Sequence, residues 1–135
     1  MTDANPILDT TGTLLERMGI VLEEMSPGRV TAHMPVAGNT QPYGLLHGGA
    51  SAVLAETVGS VASALHAGKD RIAVGIELNC THHRAAREGL VHAVATPVHL
   101  GGTLATYAFT ITDDSGALVC TCRLTCLLRE RPPAS

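Results

Sequence analysis

The chain has 135 residues, enough for one domain that buries its own core without staples. Charged residues are only 16% against 45% hydrophobic, which points to surface hidden in an oligomer. A net charge of -3, no Trp and a single Phe exclude an electrostatic or base-stacking case for nucleic acid.

Met1 to Pro6 has neither a basic nor an apolar leader pattern, so a cytoplasmic protein is expected, and the four cysteines read as free thiols. Residues 1–5 are expected to fray. A short helix should begin between Pro6 and Thr13, with Asp9 and Thr10 as candidate caps, and stop at Gly19. Ile20–Met25 and Arg29–Val36 read as a hairpin across Ser26-Pro27-Gly28, with Val30, Ala32 and Met34 on one face. Ala37 to Gly44 is loop by composition, and Leu46–Leu65 is one long helix whose lone charge is Glu56.

Four long strands should follow as a meander: Ile72–His83, Leu90–Leu100, Thr103–Thr112 and Ala117–Leu128. Pro97 predicts a bulge or an edge, and Asp113 to Gly116 a hairpin turn. Arg129 to Ser135 reads as a loose tail, leaving one domain over 1–135 with its core at about 19–128. One sheet cannot leave an apolar helix exposed, so it must curl around it. The expected class is α+β: an antiparallel sheet about a central helix, called a hotdog fold.

The helix is long enough to cross a membrane, but it is rich in Gly, Ser and Ala, carries Glu56 inside and has no second span; no membrane role is expected. At about 100° per residue, Leu54, Val58, Val61 and Leu65 form a core stripe. Glu56, Ser60 and Ser63 fall opposite, with Gly49 and Ala52. A solvent face would carry Lys and Glu, so a second subunit is expected to cover this one. Glu56 then reads as a buried acid with no Lys or Arg within a turn to pair with.

The run Gln41-Pro42-Tyr43-Gly44-Leu45-Leu46-His47-Gly48-Gly49, then Ala55-Glu56 and Gly59-Ser60, resembles the hotdog acyl-CoA thioesterases, nearest the phenylacetate-degradation and 4-hydroxybenzoyl-CoA group. Glu77-Leu78-Asn79-Cys80-Thr81-His82-His83-Arg84 and Cys120-Thr121-Cys122-Arg123-Leu124 are similar to the proofreading thioesterases of enterobactin biosynthesis. The likeness runs from about Gly19 to Leu128 and departs at Ala85, where relatives often carry Pro.

The resemblance implies a hydrolase for aryl or other small acyl thioesters of coenzyme A or a carrier protein, without a cofactor. Gln41 and the Gly48 N–H would polarise the thioester carbonyl, and His47 would orient that site. Glu56 would be nucleophile or general base, Ser60 would hold it or the water, and His82 would line the channel. Gly49 and Arg84 would meet substrate. Glu56 lies roughly 12 Å along the helix from Gly48 at about 1.5 Å per residue, too far for one thioester to touch both. Two helices meeting antiparallel would bridge that distance, so a homodimer at least is expected, and a homotetramer is the assembly the resemblance implies.

Other chemistries fit less well. His82 and His83 point to opposite sides of a strand, and Cys120, Cys122 and Cys126 on one strand do not converge on an ion, so no metal is expected. A serine hydrolase would need a Gly-x-Ser-x-Gly elbow, which the chain lacks. Arg84 and Arg87 read equally as contacts for coenzyme A phosphates or as solvated turn charges. A hotdog dehydratase and a non-catalytic acyl-CoA-binding protein stand as alternatives.

Overall fold

A computed structural model describes residues 9–133. The expected fraying at the start, the Pro6 to Leu8 part of the first helix and the last two tail residues lie outside that range. The order is α1 (Leu14–Met18), β1 (Val21–Ser26), β2 (Arg29–Pro35), α2 (Gly48–Ala67), β3 (Arg71–His82), β4 (Leu90–Leu100), β5 (Leu104–Asp113) and β6 (Leu118–Glu130). The six strands form one antiparallel sheet, and α2 packs against all of them, the hotdog arrangement. Among the described residues no helix is long and apolar enough to cross a membrane.

Helix α1 is shorter than expected. Its N-cap is Thr13, not Asp9 or Thr10, and Gly19 ends it at φ 74°, a left-handed position that glycine adopts without cost. Pro97 does mark a bulge: the β4–β5 register shifts between Pro97 and His99, where the ring has no N–H to donate. Strand β6 runs on through Arg129 and Glu130, because β3 begins early enough to pair with them, so the tail is shorter than read.

The meander is the larger correction. Strands β4, β5 and β6 are consecutive neighbours, but β3 pairs with β6, giving the order β1-β2-β4-β5-β6-β3. The segment after β3 therefore crosses the end of the sheet, tied down by buried Ala86, whose carbonyl accepts the Leu46 N–H at 2.8 Å. Strand β3 becomes an open edge, and its alternation breaks at a register shift between Gly75 and Glu77 that turns Ile76 outward, 58% exposed.

The core lies between α2 and the sheet. Leu54, Val58 and Val61 are buried as the stripe predicts, with Leu65 half-buried beside them. The covered arc extends further, through Ser51, Ala55, Gly59 and Ala62 to Ser63, which belongs to the core and not to the opposite face. Small residues explain the width. A Cβ at Gly59 would lie 2.4 Å from Phe109 Cζ and 2.7 Å from Leu124 Cδ2, so the helix sits as low on the sheet as its backbone permits.

Two polar contacts pin the ends of this sandwich. Asp114 accepts from Leu90 N–H at 3.0 Å and pairs with His92 Nε2 at 2.7 Å; those two hydrogen bonds, His92 first, hold its carboxyl below the usual range. Tyr107 is fully buried, and burial, with a smaller push from Cys126, raises its phenol to about 12, so it remains a donor. Its hydroxyl donates to the Pro27 carbonyl at 2.6 Å and lies 3.2 Å from that of Ala62, joining the β1–β2 turn to α2. Tyr107→Phe keeps the ring and removes both hydroxyl contacts; urea unfolding should show a loss of about 1–2 kcal/mol with an unchanged slope.

Candidate active site

The loop before α2 is held rigidly for its composition. Asn39 Nδ2 donates to Met18 and Pro35 carbonyls, each at 2.8 Å, and the Asn39 carbonyl accepts the His47 N–H at 2.9 Å. Gln41 Oε1 accepts from Tyr43 N–H at 2.8 Å, which occupies the oxygen and leaves the amide NH2 as the outward donor.

His47 is the N-cap of α2. Its Nδ1 accepts from Gly49 N–H at 2.8 Å, so the neutral ring carries its proton on Nε2 and presents a donor on the exposed side. The same bond consumes the Gly49 N–H. The donor left at the first helical position is Gly48, whose N–H has no carbonyl four residues back within the helix. A Cβ there would meet His82 Nε2 at 2.9 Å, so the imidazole lies directly over this helix start. Gln41, Gly48, His82 and Arg84 line one cavity of about 350 Å³. Such an opening, with N–H donors at a helix N-terminus, suits an oxygen that gains negative charge.

Glu56 is elsewhere and differently placed than expected. In the single chain it is exposed, not buried, and it shares a second cavity of about 330 Å³ with Ser60, Thr57 and Leu15. The carboxylate rests on the β3 edge: a Cβ at Gly75 would come within 2.5 Å of Glu56 Oε2. The structure therefore brings Gln41, Gly48 and His82 together with Arg84, brings Glu56 together with Ser60, and keeps the two groups in separate openings along one helix.

His83 turns away and meets Thr121 Oγ1 at 2.9 Å, opposite to His82 as the strand alternation requires. Arg84, exposed, lies 3.8 Å from Asp113, too loose a pairing to hold the guanidinium in place. Cys120, Cys122 and Cys126 are buried, and burial pushes all three thiols above their ordinary range, which removes them as nucleophiles at neutral pH. Asn39 and Gly75 position this site and escaped the sequence reading; a lone Asn in a loop and a lone Gly in a strand signal a turn and a bulge, not what they touch.

With this geometry in place, comparison decides the family. The sequence pattern of the Thioesterase superfamily matches residues 43–120. The chain belongs to the thioesterase superfamily. The proofreading thioesterase EntH of Klebsiella pneumoniae is 44% identical over 113 residues, covering 83% of this chain and 82% of that one. A thioesterase of Haemophilus influenzae, HI1161, superposes with a TM-score of 0.88 at 34% identity, over 96% of this chain and 92% of the other. A mutant of the Pseudomonas aeruginosa thioesterase PA1618 gives 0.87 at 37%, over 97% and 96%. The thioesterase names of these relatives support a hydrolase activity for the chain.

The cap at His47 can be tested apart from any chemistry. His47→Ala should cost about 1 kcal/mol in urea unfolding, while His47→Asn, which caps through its side-chain oxygen, should retain most of that.

Proposed function

We propose that this thioesterase-superfamily chain hydrolyses aryl or other small acyl thioesters of coenzyme A or a carrier protein, at a site shared by two subunits. The observation that carries the reading is the split itself. Polarising donors occupy one cavity and the carboxylate another, on one rigid helix. A second copy with its α2 antiparallel to the first would set the Glu56 of one chain against the Gln41, His47 and Gly48 of the other. Two features support such a partner: the face of α2 bearing Val53, Glu56, Thr57 and Ser60 is not fully covered, and the twelve-residue β3 leaves an open sheet edge with Ile76 exposed. The preference for an aryl acyl group rests on the resemblance of the Gln41–Gly49 and Glu77–Arg84 runs to thioesterases of aryl-acyl substrates.

In this mechanism the thioester carbonyl oxygen accepts from Gly48 N–H and the Gln41 amide, with His47 Nε2–H alongside. Those donors hold the charge that develops as the carbonyl carbon is attacked, and each donor of this kind contributes on the order of 3 kcal/mol to lowering the barrier. Glu56 supplies the carboxylate, either attacking the carbon or taking a proton from the attacking water, and Ser60 steadies it. With water attacking, a C–O bond forms, the C–S bond breaks and the proton that Glu56 takes from water passes to the departing thiolate. With Glu56 attacking, a mixed anhydride forms as the C–S bond breaks, and water then hydrolyses it, one proton going to the thiolate while the acid leaves and the carboxylate is restored. Arg84, loosely held at the rim, is free to meet a substrate phosphate.

Release of free thiol from benzoyl-coenzyme A is the direct assay. Glu56→Ala should lower kcat by about 10²–10⁴ with the fold intact; unchanged release would overturn the mechanism. Mixing refolded Glu56→Ala and His47→Ala chains tests the shared site, since half of random dimers then carry one complete site of two and about a quarter of wild-type activity returns. No recovery, or a monomer at micromolar concentration, would place the chemistry within one chain. Gly75→Ala should push the Glu56 carboxylate off the β3 edge and reduce kcat more than it changes stability, read by pairing the thiol assay with urea unfolding.

A further inference from the structure

Outside both cavities, the sheet gathers three thiols. Cys80 of β3 stands directly opposite Cys122 of β6, and His82 stands opposite Cys120. Alternation then puts Cys80, Cys120 and Cys122 on the same face of two hydrogen-bonded strands. Their sulfur atoms all lie within 4.8 Å of one another, with Cys120 and Cys122 at 3.3 Å. The cysteine pattern on β6 alone does not predict this. Cys126 lies outside the triangle, and the third corner comes from another strand that the expected meander would have placed elsewhere.

We propose that Cys80, Cys120 and Cys122 form a binding site for one thiophilic metal ion, which displaces the three thiol protons to solvent as it binds and is then held by three thiolates with a fourth position open. Sulfur ligands at about 2.3 Å from zinc sit about 3.8 Å apart in a tetrahedron, so the triangle closes with shifts of about an ångström or less. The cluster contains no oxygen donor, which selects against magnesium and calcium and in favour of zinc, cadmium or monovalent copper. Two ligands two residues apart on one strand, and a third fixed by the β3–β6 ladder, are preorganised by the sheet, not by a loop. Access is from the Cys80 side, since that residue is half-buried while its two partners are buried. Cys80 is two residues from His82, whose ring covers Gly48, so the ion would lie beside the first cavity without drawing on its donors.

The test uses the full chain, reduced and stripped of metal by a chelator, then titrated with cadmium while the thiolate-to-metal charge-transfer band is followed in the ultraviolet. Zinc affinity is then measured by competition with a chromophoric chelator. One equivalent per chain is expected. Cys80→Ala, at a half-exposed edge position, should fold normally and weaken binding by more than the roughly ten- to hundredfold that loss of an outer-shell partner costs. Cys122→Ala should do the same, and Cys126→Ala should bind as wild type. Absence of the band, a band unchanged in Cys80→Ala, or binding lost in Cys126→Ala would each overturn the assignment.

Discussion

Residue 59 has no room for a side chain, and much of the molecule depends on that. With Phe109 and Leu124 within 2.4 Å and 2.7 Å of where a Cβ would stand, α2 lies on the sheet at nearly backbone contact. Ala55 and Ala62, both fully buried, continue the close approach on either side. A helix pressed this low has little freedom to roll or slide, because moving it would open voids along its length. Its direction therefore sets three things at once: where His47 caps, where the Gly48 N–H points and where Glu56 emerges.

The same depth accounts for the separation of donors and acid. A helix is a ruler with about 1.5 Å per residue, and one anchored along its whole length cannot bend to bring its first turn near its third. Glu56 leaves the core on the side facing the β3 edge, where Gly75 makes space for it. The arrangement leaves a carboxylate at a surface whose other residues are small or apolar, Val53, Thr57 and Ser60 among them. Such a surface gains from being covered by a copy of itself, since self-complementary faces meet in pairs.

The sequence was most informative where a residue's role depends on its own chain neighbours. The run from Gly48 onward carries no charge but Glu56 and ends before a glycine, so α2 was readable to within two residues at each end. Pro97 announced its bulge because the missing N–H is a property of the residue itself. Partnership across the sheet was less readable. Adjacent strands usually pair, yet β3 lies beyond β6, and nothing in its own residues marks that. The helix wheel also misassigned Ser63, because a periodicity identifies faces but not how wide an arc small residues allow to be buried. Glu56 was read as buried for a related reason: the lack of charge around it predicts a cover without saying which chain supplies it. Gln41, His47, Gly48 and His82 were recognisable as a group, while Asn39, Gly75 and Cys80 become meaningful only through strands or loops far away in sequence.

Asn39 carries a consequence of its own. One side chain bonds the end of α1 and the end of β2, while its backbone carbonyl holds His47. The N-terminal helix, which packs on the core through half-buried Leu15 and Met18, and the cap of α2 are thus joined through one residue. Melting of that first turn and loosening of His47 become one cooperative unit, so order near the N-terminus is thermodynamically linked to order at the start of α2. Leu15 of α1 also borders the Glu56 cavity. Whatever settles in that cavity is therefore coupled, through α1 and Asn39, to the far end of the same long helix.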